Sequence, residues 1–287
     1  DPERGTLDDL GSPAHPMNHV KHLVACPDSR IFGSINHNLF RYDPRTRKTA
    51  DLGEPVPREI YDSLSALAWA GGRIYGVHQG HLFFVDPDTG DVTSKGMVSL
   101  DDEIWLFHSI HADSDGNLLG IVGLSGSGAN RRWRETRERR LFRYLPDGDE
   151  ILLSDVEIDG RLISGPDGKV YALFHDGRLF EWRAHEDRIT LAAHYASPTF
   201  HDTTTMVLAD TGELLIGQNS GNYGSRDLTK LLVYEPGQDE PVDLGNPVPN
   251  ASHLTALTVA SDGTIYGMST DWVYGVAGTP IYLYSAN

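Results

Sequence analysis

The chain contains one cysteine, Cys26, among 287 residues, so it forms no intrachain disulfide. It has no apolar run approaching the length of a membrane-spanning helix, and no stretch keeps a helical hydrophobic period. Basic residues are scarce. The 24 lysines and arginines face 41 acidic residues and leave a formal net charge of −17, which argues against nucleic acid or an anionic membrane as a partner. There is no Gly-x-Ser-x-Gly elbow and no glycine-rich phosphate loop opening a helix, and Cys26 has no evident basic partner. At this length a hydrophobic core requires neither metal nor disulfide.

What the chain does have is a repeat. An apolar-aromatic-glycine step is followed by a second apolar-aromatic step, six times. The first two copies are Ile31-Phe32-Gly33 with Leu39-Phe40 and Ile74-Tyr75-Gly76 with Leu82-Phe83. Leu118-Leu119-Gly120 with Leu141-Phe142 and Val170-Tyr171-Ala172 with Leu179-Phe180 come next. The last two are Leu215-Ile216-Gly217 with Leu231-Leu232 and Ile265-Tyr266-Gly267 with Ile281-Tyr282. The spacing of about 47 residues falls in the range of propeller blades. In the second copy, turn signals at Gly71-Gly72, Gln79-Gly80 and Asp86-Pro87-Asp88-Thr89-Gly90 divide the repeat into four short strands.

These features predict an all-β fold, a single domain over residues 1–287 built as a six-bladed β-propeller with four-stranded blades. The outer strand ends in Asp51-Leu52-Gly53 and again in Asp243-Leu244-Gly245. The same phrase occurs at Asp9-Leu10-Gly11, whereas the sixth copy lacks it. Residues 5–11 are therefore expected to supply the outer strand of the last blade and close the ring. The chain starts at Asp1 rather than methionine, which fits removal of a leader and equally trimming of the chain, and the expected location is extracellular or periplasmic.

Positive charge collects in one place. The third copy has a long insertion, Gly123–Arg140, that holds Arg131, Arg132, Arg134, Arg137, Arg139 and Arg140, six of the 24 basic residues. Arginine's planar fork binds carboxylates and sulfates in a bidentate manner. The alternative is a hairpin whose arginines pair with Glu135 and Glu138. The predicted starts of the inner strands and the loops between second and third strands add a polar set on one end of the fold. Lys21, His78, His108, Arg161, His175, His201, Asn219, Tyr223, His253 and Trp272 belong to it. Three pairs, His19/His22, His78/His81 and His108/His111, are spaced three apart, which on a regular strand places them on opposite faces and makes poor chelators.

The repeated wording, Ile-Tyr-Gly, then Leu-Phe-x-Tyr/Val-Asp-Pro, then Asp-Leu-Gly, resembles propeller proteins of carbohydrate metabolism. It is most similar to the propeller polysaccharide lyases of the ulvan and rhamnose–glucuronate type. The six-bladed lactonases of the senescence-marker type are a second comparison, although their acidic metal-ligand signature is not apparent here. The resemblance implies an extracellular carbohydrate-active enzyme that acts on an anionic oligo- or polysaccharide, with β-elimination as its chemistry. Such a reaction needs a cation on the uronate carboxylate, a base and an acid. Arg161 or an arginine of the insertion is the expected clamp, His108 or His201 the base, and Tyr223 or His175 the acid. Lys21, His78, Arg131, Arg132, Arg134, Asn219, His253 and Trp272 are expected to bind substrate. No cofactor is required by the sequence. A divalent metal stays open, through histidines of different repeats such as His108, His201 and His253. The other two readings are a non-catalytic glycan- or protein-binding propeller and a metal-dependent hydrolase or lactonase.

Overall fold

The computed structural model describes residues 20–35, 37–56, 66–78, 80–100, 103–125, 135–158, 160–164, 169–174, 176–186, 188–195, 202–209, 211–219, 229–248, 253–260, 262–270 and 281–285. The chain divides into two compact units, residues 1–157 and 158–287.

Three sheets make up the first unit. The first contains β1 (Val20–Ala25), β2 (Ile31–Ile35), β3 (Asn38–Asp43) and β4 (Lys48–Gly53), and the second β5 (Ala66–Ala70), β6 (Arg73–His78), β7 (His81–Val85) and β8 (Val92–Met97). The third contains β10 (Glu103–Ala112), β11 (Leu118–Ser125), β12 (Glu135–Leu145) and β13 (Glu150–Glu157), with the short β9 (Ser99–Leu100) beside β10. The second unit has β14 (Gly160–Ser164), β15 (Val170–Phe174), β16 (Arg178–Arg183) and β17 (Arg188–His194) in one sheet. Its next sheet is β18 (Asp202–Leu208), β19 (Leu214–Asn219), β20 (Lys230–Tyr234) and β21 (Val242–Asp243), and its last is β22 (His253–Val259), β23 (Thr264–Thr270) and β24 (Ile281–Ser285). Every sheet is an antiparallel meander, which is the topology of a propeller blade.

Each of the six sequence copies thus forms one sheet, but the expectation of six four-stranded blades is corrected to five. The sheet of β22, β23 and β24 stops at three strands. Closure by the N-terminal segment is not shown: residues 5–11 lie outside the described residues, and among the described residues no strand pairs with the outer edge of β24. The outer edge of β24, the third strand of the sixth copy, meets no fourth apolar segment among the described residues.

The repeat has a steric cause. Gly33 lies directly opposite Phe40, Gly76 opposite Phe83 and Gly120 opposite Phe142, so each aromatic ring shares a sheet face with a glycine. A Cβ added at any of these glycines would overlap the ring. The ring therefore lies down on the strand and fills the space that the missing side chain leaves. In the fourth sheet Ala172 faces Phe180. In the fifth Gly217 faces Leu231, and an added Cβ there would come 2.7 Å from Thr205 Cγ2 and 3.1 Å from Leu254 Cβ.

The blades are buried on both faces, in alternation. In the second sheet Ile74, Phe83 and Val85 pack with Phe32 and Leu39 of the first, while Tyr75, Val77 and Leu82 pack with Trp105, Phe107 and Phe142 of the third. The second unit repeats the scheme. Leu214, Ile216 and Leu232 meet Tyr171 and Leu179, and Leu215, Leu231 and Val233 meet Leu254 and Ile265.

Polar clasps join neighbouring blades at the rim. Arg30 Nη2 binds Asp88 Oδ1 at 2.7 Å and its Nη1 donates to the Pro87 carbonyl at 2.5 Å, with Asp28 holding the same guanidinium. Lys95 donates to Asp149 Oδ2 at 2.8 Å, and the Tyr144 hydroxyl donates to Oδ1 of the same carboxylate at 2.8 Å. In the second unit Lys230 pairs with Asp243, and Tyr195 bonds both. For Asp243 burial works to raise the carboxyl's pKa, but the bonds from Lys230 and the Gly245 amide outweigh it and leave the pKa below the usual value.

Overpacking a filled core costs about 1–3 kcal/mol. Gly76→Ala is therefore expected to destabilise the protein by about that amount in urea denaturation. Ala172→Gly, where a Cβ is already accommodated, should cost only about 0.5–1 kcal/mol. Equal losses at the two positions would refute the packing account.

Candidate functional site

Four inner strands share an irregularity. Counting from the turn that follows each inner strand, the register slips between the fourth and fifth pairs in the first, third, fifth and sixth sheets. The slip lies between Val20 and His22, Phe107 and Ser109, Thr203 and Thr205, and Leu254 and Ala256. One residue is left over at each, namely Lys21, His108, Thr204 and Thr255. Bulges of this kind bend a strand and re-aim side chains, and they are frequent beside active sites. The second and fourth sheets pair regularly through the same position.

The bulge at His108 assembles the best-defined site among the described residues. Val122, which pairs with Phe107, packs in the core that the second and third sheets share, and Leu124 packs against that core. Gly123 between them therefore opens on the opposite face. The His108 ring comes to this side: a Cβ on Gly123 would lie 2.7 Å from His108 Nε2. It would also lie 3.7 Å from Cγ of Arg139, the direct cross-strand partner of Gly123. A half-buried imidazole and the stem of an arginine thus meet over a residue with no side chain. Arg140, the next residue, extends over the Trp105 ring at 5.6 Å on the other face.

Strand structure enters the arginine-rich insertion from both sides. β11 runs to Ser125, which pairs with Glu135 at the start of β12. Arg139 and Arg140 are held in this ladder opposite Gly123 and Val122, whereas Arg131, Arg132 and Arg134 lie outside the described residues.

Two of the three histidine pairs differ from expectation, and His19 of the third lies outside the described residues. His78 and His81 flank a two-residue turn and are direct cross-strand partners, so they share a face. In β10 the bulge inserts a residue between Phe107 and Ser109. Phe107, Ile110 and the same blade core then line up on one face, and His108 and His111 both come to the other. The rule of opposite faces holds only for regular, unturned strands. Among the described residues, no three His, Cys, Asp or Glu side chains come together as a group able to hold a metal.

The remaining predicted residues are distributed as follows. His78 ends β6 and is buried, with its ring edge-on to His37 at 5.8 Å between centroids. Arg161 is exposed on β14, opposite Leu173. Lys21, Asn219 and His253 occupy strand positions in β1, β19 and β22, and Asn219 pairs with Asp202. His175, His201, Tyr223 and Trp272 lie outside the described residues.

No protein-family model matches the chain, and no curated protein matches it. Solved structures do. The β-propeller domain of Cps50 (Swd1) from Myceliophteria thermophila is 13% identical over 94% of this chain and 83% of its own, with a TM-score of 0.63. The extracellular domain of a hybrid two component system from B. thetaiotaomicron is 15% identical over 93% of this chain, with a TM-score of 0.59. The chain spans about a third (33%) of that structure's length. A chain of a mitotic checkpoint complex, 10% identical over 92% of this chain and 76% of its own, gives a TM-score of 0.60. The fold is a β-propeller. At these identities the likeness concerns the fold and nothing more. Among the described residues no helix is long and apolar enough to cross a membrane.

His111 makes the acid limb of stability testable. It keeps some accessible surface, yet the protein crowded around its ring disfavours the imidazolium and pulls its pKa down to about 4. The unfolded chain takes up this proton near pH ~6.5. Stability contributed by neutral His111 is therefore complete above that pH and is lost as pH falls towards 4. Asp149, held low first by Lys95 and then by Tyr144, adds a loss only below about pH 4. Urea midpoints of His111→Phe should be nearly flat between pH 6.5 and 4 where those of the parent decline. Parallel profiles would show that His111 titrates normally in the folded protein.

Proposed function

We propose that the protein is an extracellular carbohydrate-active propeller that binds a uronate-containing glycan and cleaves it by β-elimination. The observation that carries this reading is the meeting of His108 and Arg139 around Gly123. β-Elimination asks for such a pair. A guanidinium on the uronate carboxylate stabilises the negative charge that develops as the neighbouring C5–H bond ionises. A neutral imidazole takes that proton. The electron pair forms the C4–C5 double bond, the C4–O bond breaks, and the departing glycan oxygen takes a proton from an acid, for which Tyr223 and His175 remain the candidates. His201 is the alternative base. The extracellular-domain neighbour and the concentration of arginine in an otherwise acidic chain support an anionic extracellular ligand.

A second reading is recognition without cleavage. It is favoured by the same neighbour, whose name describes the extracellular domain of a two component system.

One assay separates the two. The protein is incubated with ulvan and other uronate polymers, with and without chelator, and the ultraviolet absorbance of the unsaturated uronate is followed. Formation of that product is expected, and chelation should leave it unchanged. His108→Gln should lower kcat by about 10²–10⁴-fold, the usual contribution of a general base. Arg139→Lys, which keeps the charge but not the fork, should cost less and act on both kcat and KM. Binding without product would establish recognition alone, and neither binding nor product would overturn the glycan reading.

A further inference from the structure

A second polar group lies within the first unit, in the gap between its first two sheets. Alternation places it there. His22 and Ser34 are cross-strand partners, and Ser34 also pairs with Leu39. Leu39 packs with Ile74, Phe83 and Val85 of the second sheet, so Ser34 and His22 face that sheet. From the other side, His78 follows Ile74 by four residues and pairs with His81, which precedes Phe83 by two. Both imidazoles therefore face the first sheet. His37, from the turn between β2 and β3, meets the His78 ring edge-on at 5.8 Å and brings the two hairpin ends together. Four imidazoles and one hydroxyl thus cap the apolar core between these sheets.

Blade packing does not ask for them. Ser34 follows Gly33 as Val77 follows Gly76 and Ile121 follows Gly120, and the two aliphatic counterparts are buried like the serine. His78 stands where the first and third sheets have the buried Ile35 and Val122. Both polar replacements fall on opposite walls of one gap. Ser34 is 0% exposed, and neither its hydroxyl nor the buried Nδ1 of His81 has a hydrogen-bond partner among the described residues. Such unsatisfied groups cost stability that an aliphatic side chain would not. His37 and His81 keep part of their surface accessible, so the group reaches solvent at the hairpin end.

We propose that this gap is a second sugar subsite, in which the Ser34 hydroxyl and His81 Nδ1 hydrogen-bond a hydroxyl of the glycan beside the rings of His37 and His78. This rests on the glycan reading above. A hydroxyl suits the two orphaned atoms, because serine donates to it while an unprotonated imidazole nitrogen accepts from it. A carboxylate only accepts, and it would have to be desolvated against a net charge of −17. The His108–Arg139 face lies on the far side of the third sheet, two sheet spacings or about 20 Å away. That distance calls for an oligosaccharide rather than a single sugar.

The test uses the full chain and size-fractionated ulvan oligosaccharides in titration calorimetry. Ser34→Ala and His81→Phe should each weaken binding about 2–10-fold, the range of one hydrogen bond. His81→Asn, which keeps a hydrogen-bonding atom near the Nδ1 position, should bind as the parent does. Thr93→Val, exposed on the outer strand of the second sheet, should leave affinity unchanged. The thermal midpoint of ligand-free Ser34→Ala should match or exceed that of the parent, because an unsatisfied buried hydroxyl is removed. A merely structural serine predicts the reverse, a lower midpoint with affinity intact. That result, or parent-like binding by both Ser34→Ala and His81→Phe, would overturn this inference and leave the glycan reading intact. No binding by the parent protein would overturn both.

Discussion

The glycine–aromatic cross-strand pair is the constraint on which the blades depend. A blade strand is covered on both faces, so a side chain at its centre must compete for volume with the neighbouring blade. Removing the Cβ at Gly33, Gly76 and Gly120 lets the opposite phenylalanine lie flat and be buried without pushing the next blade away. The variations obey the same volume rule. Where the partner is Leu231, the room above Gly217 is taken by Thr205 and by Leu254 of the adjoining sheet. The repeat seen in the sequence is thus the trace of a packing solution used over and over.

A second layer of interaction lies at the rim, and it gives the acidic residues local work. Asp86 accepts the amides of Asp88 and Thr89 to shape its turn, and that turn then presents the Pro87 carbonyl and Asp88 to Arg30. Asp149 receives one bond from its own blade through Tyr144 and one from the preceding blade through Lys95. Such exposed pairs contribute little individually. Their consequence is register: each fixes which turn of one blade meets which strand of the next. The net charge of −17 needs no acidic-surface function to explain it, because several carboxylates build turns and clasps.

Much of the fold was legible because the glycine–aromatic pair is local. Gly76 and Phe83 are seven residues apart in the sequence and meet through one tight hairpin, so their repetition announced six sheets. The strand count of the last sheet was not legible in the same way, since Asp9-Leu10-Gly11 matches other outer strands in wording while pairing depends on partners far away in the chain, and that sheet has three strands among the described residues. The site was less legible still. A bulge adds a residue without requiring any residue type, and Lys21, His108, Thr204 and Thr255 show no common signature. Residue type alone singled out His108, and the bulge that turns it toward Gly123 left no mark in the sequence. The three-residue spacing misassigned the faces of His78/His81 and His108/His111, because one tight turn and one bulge each reverse the alternation.

Core and site are built with the same device. At Gly76 the absent Cβ admits a phenyl ring, and the result is a closed, apolar contact. At Gly123 the absent Cβ admits an imidazole beside an arginine stem, and the result is a polar pair on an otherwise well-packed sheet. What differs is the strand opposite. Regular pairing presents an aromatic to the gap, whereas the bulge in β10 presents His108, the one residue that the ladder leaves over. The glycines and aromatics that hold the blades together are thus distinct from the residue that the bulge in β10 presents. For the same reason, repeat wording identifies this fold readily and leaves its chemistry to be found at the irregular positions.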